Sequence, residues 1–195
     1  MSKSMQAIPV REFQEKYDVR LATIVDDNDW VKTLAREIDL DSELDLAGLL
    51  DGIMRHFREK HLFVGVSSNN IYWNLTPTPI RQILIPTEKR RYISLINPKI
   101  LKLAGKDIPC VEACGSIPRG NYLVKRKPYV LISGYTLEKE YIELEYGSKR
   151  HAGGEGPVMT TFRNKEWIIQ HEMDHLQGIT IKDIGTPVDL KRLFL

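Results

Sequence analysis

The residue types best suited to chemistry lie near the end of the sequence. His171 and His175 stand four positions apart, with Glu172 directly after the first histidine. On a helix this spacing places both imidazoles on one face, one turn apart, where both can bind a single metal ion. Glu172 can then take a proton from water and pass it to a leaving group. The pattern predicts a zinc or iron hydrolase site, and its alternative is a pair of surface histidines on an amphipathic helix.

A helix must carry this pattern, and we predict it over about residues 161–177. Thr160 or Thr161 could cap its start, and Gly178 stands where a glycine stop is expected. The apolar side chains at roughly helical spacing are Phe162, Ile168, Ile169, Met173 and Leu176.

A metal held by two histidines needs a third protein ligand. Downstream of His175 the sequence has no Glu, His or Cys, and only Asp183 and Asp189 remain there. The candidates therefore lie upstream, and they are Cys110, Cys114, His56, His61 and His151. A His₂Cys or His₃ set with an open fourth position is typical of a catalytic metal site.

Cys114 has the most suitable surroundings of these candidates. Small residues flank it and Glu112 precedes it by two positions, which suits a thiolate ligand with hydrogen-bonded neighbours. We interpret Cys110 as a buried small hydrophobe, with a ligand role left open. His56 and His61 are expected to be exposed, and His151 falls in a glycine-rich loop over 147–157.

Length and composition indicate one soluble domain over 1–195, with 42% hydrophobic and 28% charged residues. The net charge of +2 gives no reason to expect nucleic-acid readout. Two cysteines cannot form a disulfide framework, which suggests a reducing compartment. We find no membrane span and no signal peptide, so we expect a cytoplasmic enzyme.

The remaining pattern predicts an α+β fold, with strands packed around the central metal-binding helix that carries His-Glu-x-x-His. A capping box at Ser42-Glu43-Leu44-Asp45 is expected to start a helix over about 43–60. Strands are predicted at 83–85, 92–96, 129–132 and 141–146, with a charged turn at 88–91. The second strand should end at Asn97-Pro98.

Three segments together resemble the peptide deformylase family. The family motif Gln-His-Glu-x-Asp-His-Leu-x-Gly is matched fully by residues 170–178. The motif Glu-Gly-Cys-Leu-Ser is matched at Glu112, Cys114 and Ser116, with Ala113 and Gly115 as departures. The motif Gly-x-Gly-x-Ala-Ala-x-Gln is matched at Gly65, with departures at Phe63, Ser67, Ser68 and Asn70.

This resemblance implies an enzyme that removes the formyl group from the N-terminal formylmethionine of nascent polypeptides. It implies Cys114, His171 and His175 as ligands of one divalent metal, usually Fe²⁺, with Zn²⁺, Ni²⁺ or Co²⁺ as substitutes. Glu172 would act as general base and then acid. Asn70 and the backbone N–H of Gly115 would hold the developing oxyanion.

The methionine side chain of such a substrate needs an apolar pocket. The candidates for its wall are Val64, Cys110, Trp167 and Ile168, and glycine at position 65 lets backbone approach the ligand closely. Asn70 is one methylene shorter than the family's glutamine. Its amide should therefore fall roughly 1.5 Å short, and lengthening it to glutamine should raise the rate.

Two further hypotheses follow from these departures. The chain could hydrolyse another N-acyl peptide, or it could be a non-catalytic metal-binding or peptide-binding relative. The expected partners are formylmethionyl peptides. The basic stretch Arg119–Lys127 could face a ribosome, although a solvated strand is the simpler interpretation.

Overall fold

The computed structural model describes residues 16–87, 91–148, 158–159 and 164–190 of a mixed helix and sheet fold. The α-helices in this part of the chain are α1 (Asn28–Lys32), α2 (Leu44–His61), α3 (Lys165–His175) and α4 (Ile181–Ile184). The first six strands are β1 (Arg20–Leu21), β2 (Val66–Ser67), β3 (Ile71–Tyr72), β4 (Gln82–Pro86), β5 (Tyr92–Ala104) and β6 (Ile108–Glu112). The others are β7 (Asn121–Arg126), β8 (Tyr129–Tyr135), β9 (Tyr141–Gly147), β10 (Val158–Met159) and β11 (Thr186–Val188).

Two larger sheets are built from these strands. One has the order β2-β4-β5-β8-β9 and is antiparallel throughout. The other has the order β10-β6-β7-β11, in which only the β10–β6 pair is parallel. Strands β1 and β3 form a separate antiparallel pair.

Helices cover both faces of the five-stranded sheet. Leu84 of β4 shares a core cluster with Leu50 of α2. The next residue along β4, Ile85, points to the opposite face and shares a cluster with Ile169 of α3. This alternation follows from the two-residue period of a strand. It fixes α3 against the sheet and leaves the rest of its surface for other contacts.

The predicted helix over 43–60 is confirmed as α2, but its capping box is wrong. Glu43 occupies the N-cap position without a side-chain cap. Its carboxylate instead accepts hydrogen bonds from Arg36, at 2.6 and 2.9 Å, and from the N–H of Asp39 at 3.1 Å. The Glu43 carboxylate therefore bonds to Arg36 and Asp39 instead of capping the helix.

The predicted strands at 83–85, 129–132 and 141–146 lie within β4, β8 and β9. The strand predicted at 92–96 lies within β5, but its predicted end at Asn97-Pro98 is wrong, because β5 continues to Ala104. Asn97 adopts a φ of 50°, and the pairing with β8 shifts register between Ile96 and Lys99. A bulge tolerates proline because the ladder is interrupted there. The expected turn at 88–91 lies mostly outside the described residues, as does the loop over 147–157.

The helix predicted over 161–177 is described as α3 from Lys165 to His175. The proposed caps Thr160 and Thr161 lie outside the described residues. The glycine stop is confirmed: Gly178 has a φ of +70°, and a Cβ there would lie 2.1 Å from the carbonyl oxygen of Lys32. No helix in the described segments has both the length and the apolar character needed to cross a membrane.

Candidate metal centre

Three metal-ligating side chains converge where α3 faces the segment after β6. Nε2 of His175 lies 3.2 Å from Nε2 of His171 and 3.2 Å from Sγ of Cys114. The three ligand atoms lie within 4.8 Å of one another. The two imidazoles come together because their residues are one helical turn apart, and β6 delivers Cys114 to the same point.

A buried ion-pair network orients His171. Nδ1 of His171 donates to Oε2 of Glu112 at 2.9 Å, so its Nε2 lone pair faces the other two ligand atoms. Arg126 of β7 donates two hydrogen bonds to the same carboxylate, at 2.7 and 2.8 Å, and a third to Asp174 of α3. The network therefore ties both strands to the helix at the level of the candidate ligands.

The charges around this point suit a cation. Burial alone would raise the pKa of the Cys114 thiol, but His175 and His171 lower it well below its usual value. Burial would lower the pKa of His171, but Cys114 and Glu112 raise it well above its usual value. A site that favours both a thiolate and a positive charge has the electrostatics of a His₂Cys metal centre, and the donor set fits such an ion.

Glu172 lies in the same cavity, 4% exposed. Burial raises its pKa above the usual range. Among the residues the structure describes, none forms a hydrogen bond with its Oε2. A Cβ at Gly65 would lie 2.7 Å from Oε1 of Glu172 and 2.7 Å from Ile168, so a larger residue there would force one of these neighbours or the strand to shift.

Asn70 is held by a hydrogen-bond bridge across the cavity. Its Oδ1 accepts from both the N–H and the hydroxyl of Ser67, each at 2.8 Å. Its Nδ2 donates to the hydroxyl of Ser116 at 2.9 Å. The short side chain at position 70 therefore joins the 3₁₀ turn Ser68–Asn70 to the loop that carries Cys114.

The cavity has a volume of about 190 Å³. Of the predicted pocket residues, it is lined by Val64, Gly65 and Ile168, together with Gly115 and Asn70. Cys110 and Trp167, which were also predicted for the wall, are not among the residues that line this cavity. Both are fully buried and cluster with Ile108. Burial also raises the pKa of Cys110 to about 12, so its thiol stays protonated.

The other candidate ligands lie elsewhere. His61 is exposed and stacks between Phe57 and Phe63, and His56 lies on α2 beside Phe57. His151 lies outside the described residues.

The sequence interpretation of 119–127 as a solvated strand missed Arg126, which is 4% exposed. The available signal was the alternation along β7, where Val124 and Arg126 point inward and Lys125 points outward. A buried arginine needs charged partners, and Glu112 and Asp174 supply them. The arginine therefore belongs to the support of the site.

The sequence was compared with known families and proteins. The model of the polypeptide deformylase family matches residues 21–189. The chain belongs to the polypeptide deformylase family.

Curated members of the family are similar to this chain over about half of its length. The peptide deformylase of Buchnera aphidicola subsp. Acyrthosiphon pisum is 34% identical over 102 residues, which cover 51% of this chain and 50% of that protein. The peptide deformylase of Chloroflexus aurantiacus is 32% identical and is covered to 47%. The chain thus spans about half the length of these curated relatives.

Solved deformylase structures share the fold over most of the chain. Peptide deformylase from Thermotoga maritima matches with a TM-score of 0.65 at 20% identity, over 86% of this chain and 97% of that one. A class I type b peptide deformylase from Acinetobacter baumannii, solved with Met-Ala-Ser bound, matches with a TM-score of 0.65 at 22% identity, over 85% and 96%. The mixed helix and sheet fold is therefore that of the deformylases.

Proposed function

We propose that this chain is a metal-dependent peptide deformylase, which hydrolyses the N-formyl group from N-terminal formylmethionine of nascent polypeptides. The observation that carries the proposal is the convergence of Cys114, His171 and His175, with Glu172 in the same cavity. Membership of the deformylase family supports it. We also propose that residues 1–195 form a single domain.

In this proposal α3 is the central metal-binding helix, and Cys114, His171 and His175 hold one divalent ion. Fe²⁺ is the proposed ion, with Zn²⁺, Ni²⁺ or Co²⁺ as substitutes. Such an ion supplies Lewis-acid chemistry, which polarises a carbonyl group and lowers the pKa of water. Glu112 and Arg126 hold His171 in the orientation that binding requires.

Glu172 is the proposed proton carrier. Its Oε2 takes a proton from the attacking water and later gives it to the amine that leaves the formyl carbon. The raised pKa of this carboxyl, caused by burial, brings it closer to the pH at which both transfers are efficient. The closeness of the backbone at Gly65 limits where the carboxylate can move.

The backbone N–H of Gly115 and Nδ2 of Asn70 are the proposed donors to the oxygen of the formyl group. Asn70 already uses Nδ2 toward Ser116, and an amide nitrogen carries a second hydrogen for this contact. Val64 and Ile168 are the proposed apolar contacts of the methionine side chain, beside the glycine backbone at position 65.

The proposed substrates are formylmethionyl peptides, whose source would be chains emerging from the ribosome in the cytoplasm. Two free cysteines in the chain are consistent with a reducing compartment.

The test is formate release from a formyl-methionyl tripeptide by protein loaded anaerobically with Fe²⁺. The matched variant is Glu172→Gln, which keeps the size of the side chain and removes its basicity. We expect formate release by the natural protein and a loss of at least about 10²-fold in kcat for the variant, at equal iron content. Undiminished turnover by Glu172→Gln would refute the role of Glu172. No release by iron-loaded, folded natural protein would favour another acyl peptide or a binding role.

A further inference from the structure

The ring of Phe63 occupies the space that a side chain at position 115 would need. A Cβ placed on Gly115 would lie 2.6 Å from Cζ and 2.9 Å from Cε1 of Phe63. The φ of Gly115 lies outside the left-handed region, so its backbone does not require glycine. A larger residue at position 115 would therefore require the Phe63 ring to move.

The position of this ring is fixed by the end of α2. Leu62 adopts a left-handed conformation with a φ of 56°, and the N–H groups of Leu62 and Phe63 both donate to the carbonyl of Arg58. His61 stacks on the Phe63 ring, with ring centroids 5.2 Å apart and an interplanar angle of 15°. Phe57 stacks on the other side of His61 at 5.8 Å. A short column of rings thus leads from the buried face of α2 to the cavity.

The ring also borders the cavity that contains the candidate ligands. Phe63 and Gly115 both line it, and Gly115 directly follows Cys114, which belongs to the ligand cluster. Because the N–H of Gly115 is the proposed donor to the formyl oxygen, the ring beside Gly115 borders the proposed position of the acyl group.

We infer that Phe63 is a specificity-determining residue, which closes the acyl end of the cavity and restricts it to a formyl group. This inference rests on the proposed deformylase function. The acetyl group carries a methyl where formyl carries a hydrogen, and that methyl would meet the Phe63 ring. Exclusion of one methyl or methylene group typically changes kcat/KM by about 10–200-fold.

The experiment compares formyl-methionyl and acetyl-methionyl tripeptides with the natural protein and with Phe63→Ala, Phe63→Leu and Phe63→Ala/Gly115→Leu. We expect Phe63→Ala to lower the formyl-to-acetyl ratio of kcat/KM by about tenfold or more, and Phe63→Leu to lower it less. The double variant should restore the ratio, because the new leucine refills the space. Tyr141→Ala is the control, because this aromatic side chain is 53% exposed and does not line the cavity, and it should leave this ratio unchanged.

Thermal unfolding gives a readout that does not depend on turnover. Gly115→Leu alone should lower Tm by about 5 °C through overpacking against the ring, and adding Phe63→Ala should recover most of that loss. An unchanged acyl ratio in Phe63→Ala, with formate release intact, would overturn the inference alone. If the natural protein releases no formate, the proposed function fails. The inference is then tested by calorimetric binding of the same two peptides to Glu172→Gln, with and without Phe63→Ala. A formyl preference that Phe63→Ala removes would support it, and equal affinities or no binding would overturn it.

Discussion

The two walls of the cavity are held by different kinds of contact. The helix wall consists of Glu112, Cys114, His171 and Glu172, and His175 joins Cys114 and His171 in the ligand cluster. Buried ion pairs to Arg126 support this wall. The strand wall consists of residues 63–70, and it is held by a packed ring and by short amide–hydroxyl hydrogen bonds.

This difference shows which residues are constrained by chemistry and which are constrained only by packing. The helix wall places charged atoms at fixed distances, so few residue types can replace any member. The strand wall only has to fill space and bring backbone close, which different sets of residues can do. The departures from the deformylase motifs lie in the strand wall and at two further positions, Ala113 and Gly115. Of these two, Gly115 lies against the Phe63 ring of the strand wall.

The largest effect is expected from Cys114→Ser in the helix wall. The hydroxyl is a poor ligand where a thiolate is stabilised by two imidazoles, so we expect loss of bound metal and of formate release. Metal content per chain, measured by elemental analysis after gel filtration, checks this. Cys110→Ala is the matched control and should keep its metal, since Cys110 lies apart from the cluster. Full metal content in Cys114→Ser would place the third ligand elsewhere.

The support of the helix wall is tested by Arg126→Met. Burial would raise the pKa of Glu112, but Arg126 and His171 together lower it to about 2. Removing the guanidinium leaves this buried carboxylate without the first of these two partners. Breaking a buried ion pair from one side costs about 3–5 kcal/mol of unfolding free energy. Urea denaturation measures it. The exposed neighbour Lys125→Met serves as control and should stay within about 0.5 kcal/mol. Equal stability of the two variants would mean that the network does not hold the wall.

The contact between the two walls is tested by Gly65→Ala. The added methyl group would lie 2.7 Å from Oε1 of Glu172, so the carboxylate or the strand must shift. A displacement of about 1 Å in a catalytic group can cost about 10²-fold, and we expect kcat to fall by at least tenfold at unchanged metal content. Gly52→Ala provides the comparison, because nothing lies within 4 Å of its added Cβ, and it should keep full activity. Retained kcat in Gly65→Ala would mean that Glu172 is not confined by the strand.

The part of the helix wall that lies on α3 could be predicted from the sequence because its residues are close to one another in the chain. His171, Glu172 and His175 are fixed by helical periodicity, and Gly178 ends the segment through its own backbone conformation. The strand wall depends on partners distant in sequence. No spacing rule relates Phe63 to Gly115 or Asn70 to Ser116. The alternation along β7 marks Arg126 as inward-pointing, but it does not identify the two acidic partners of Arg126. The contact of Cys110 and Trp167 with Ile108 likewise follows from no spacing rule.

The smallest effect concerns Asn70, where structure and side-chain length lead to opposite expectations. By reach alone, Asn70→Gln should improve the contact to the formyl oxygen. The structure engages the asparagine amide with Ser67 and Ser116, and an added methylene would break that bridge. We therefore expect Asn70→Gln to lose about 1–3 kcal/mol of unfolding free energy and to lower kcat/KM. Thermal unfolding and formate release measure the two effects. A rise in kcat/KM would mean that the reach of the amide limits the rate and that the strand wall accommodates the longer side chain.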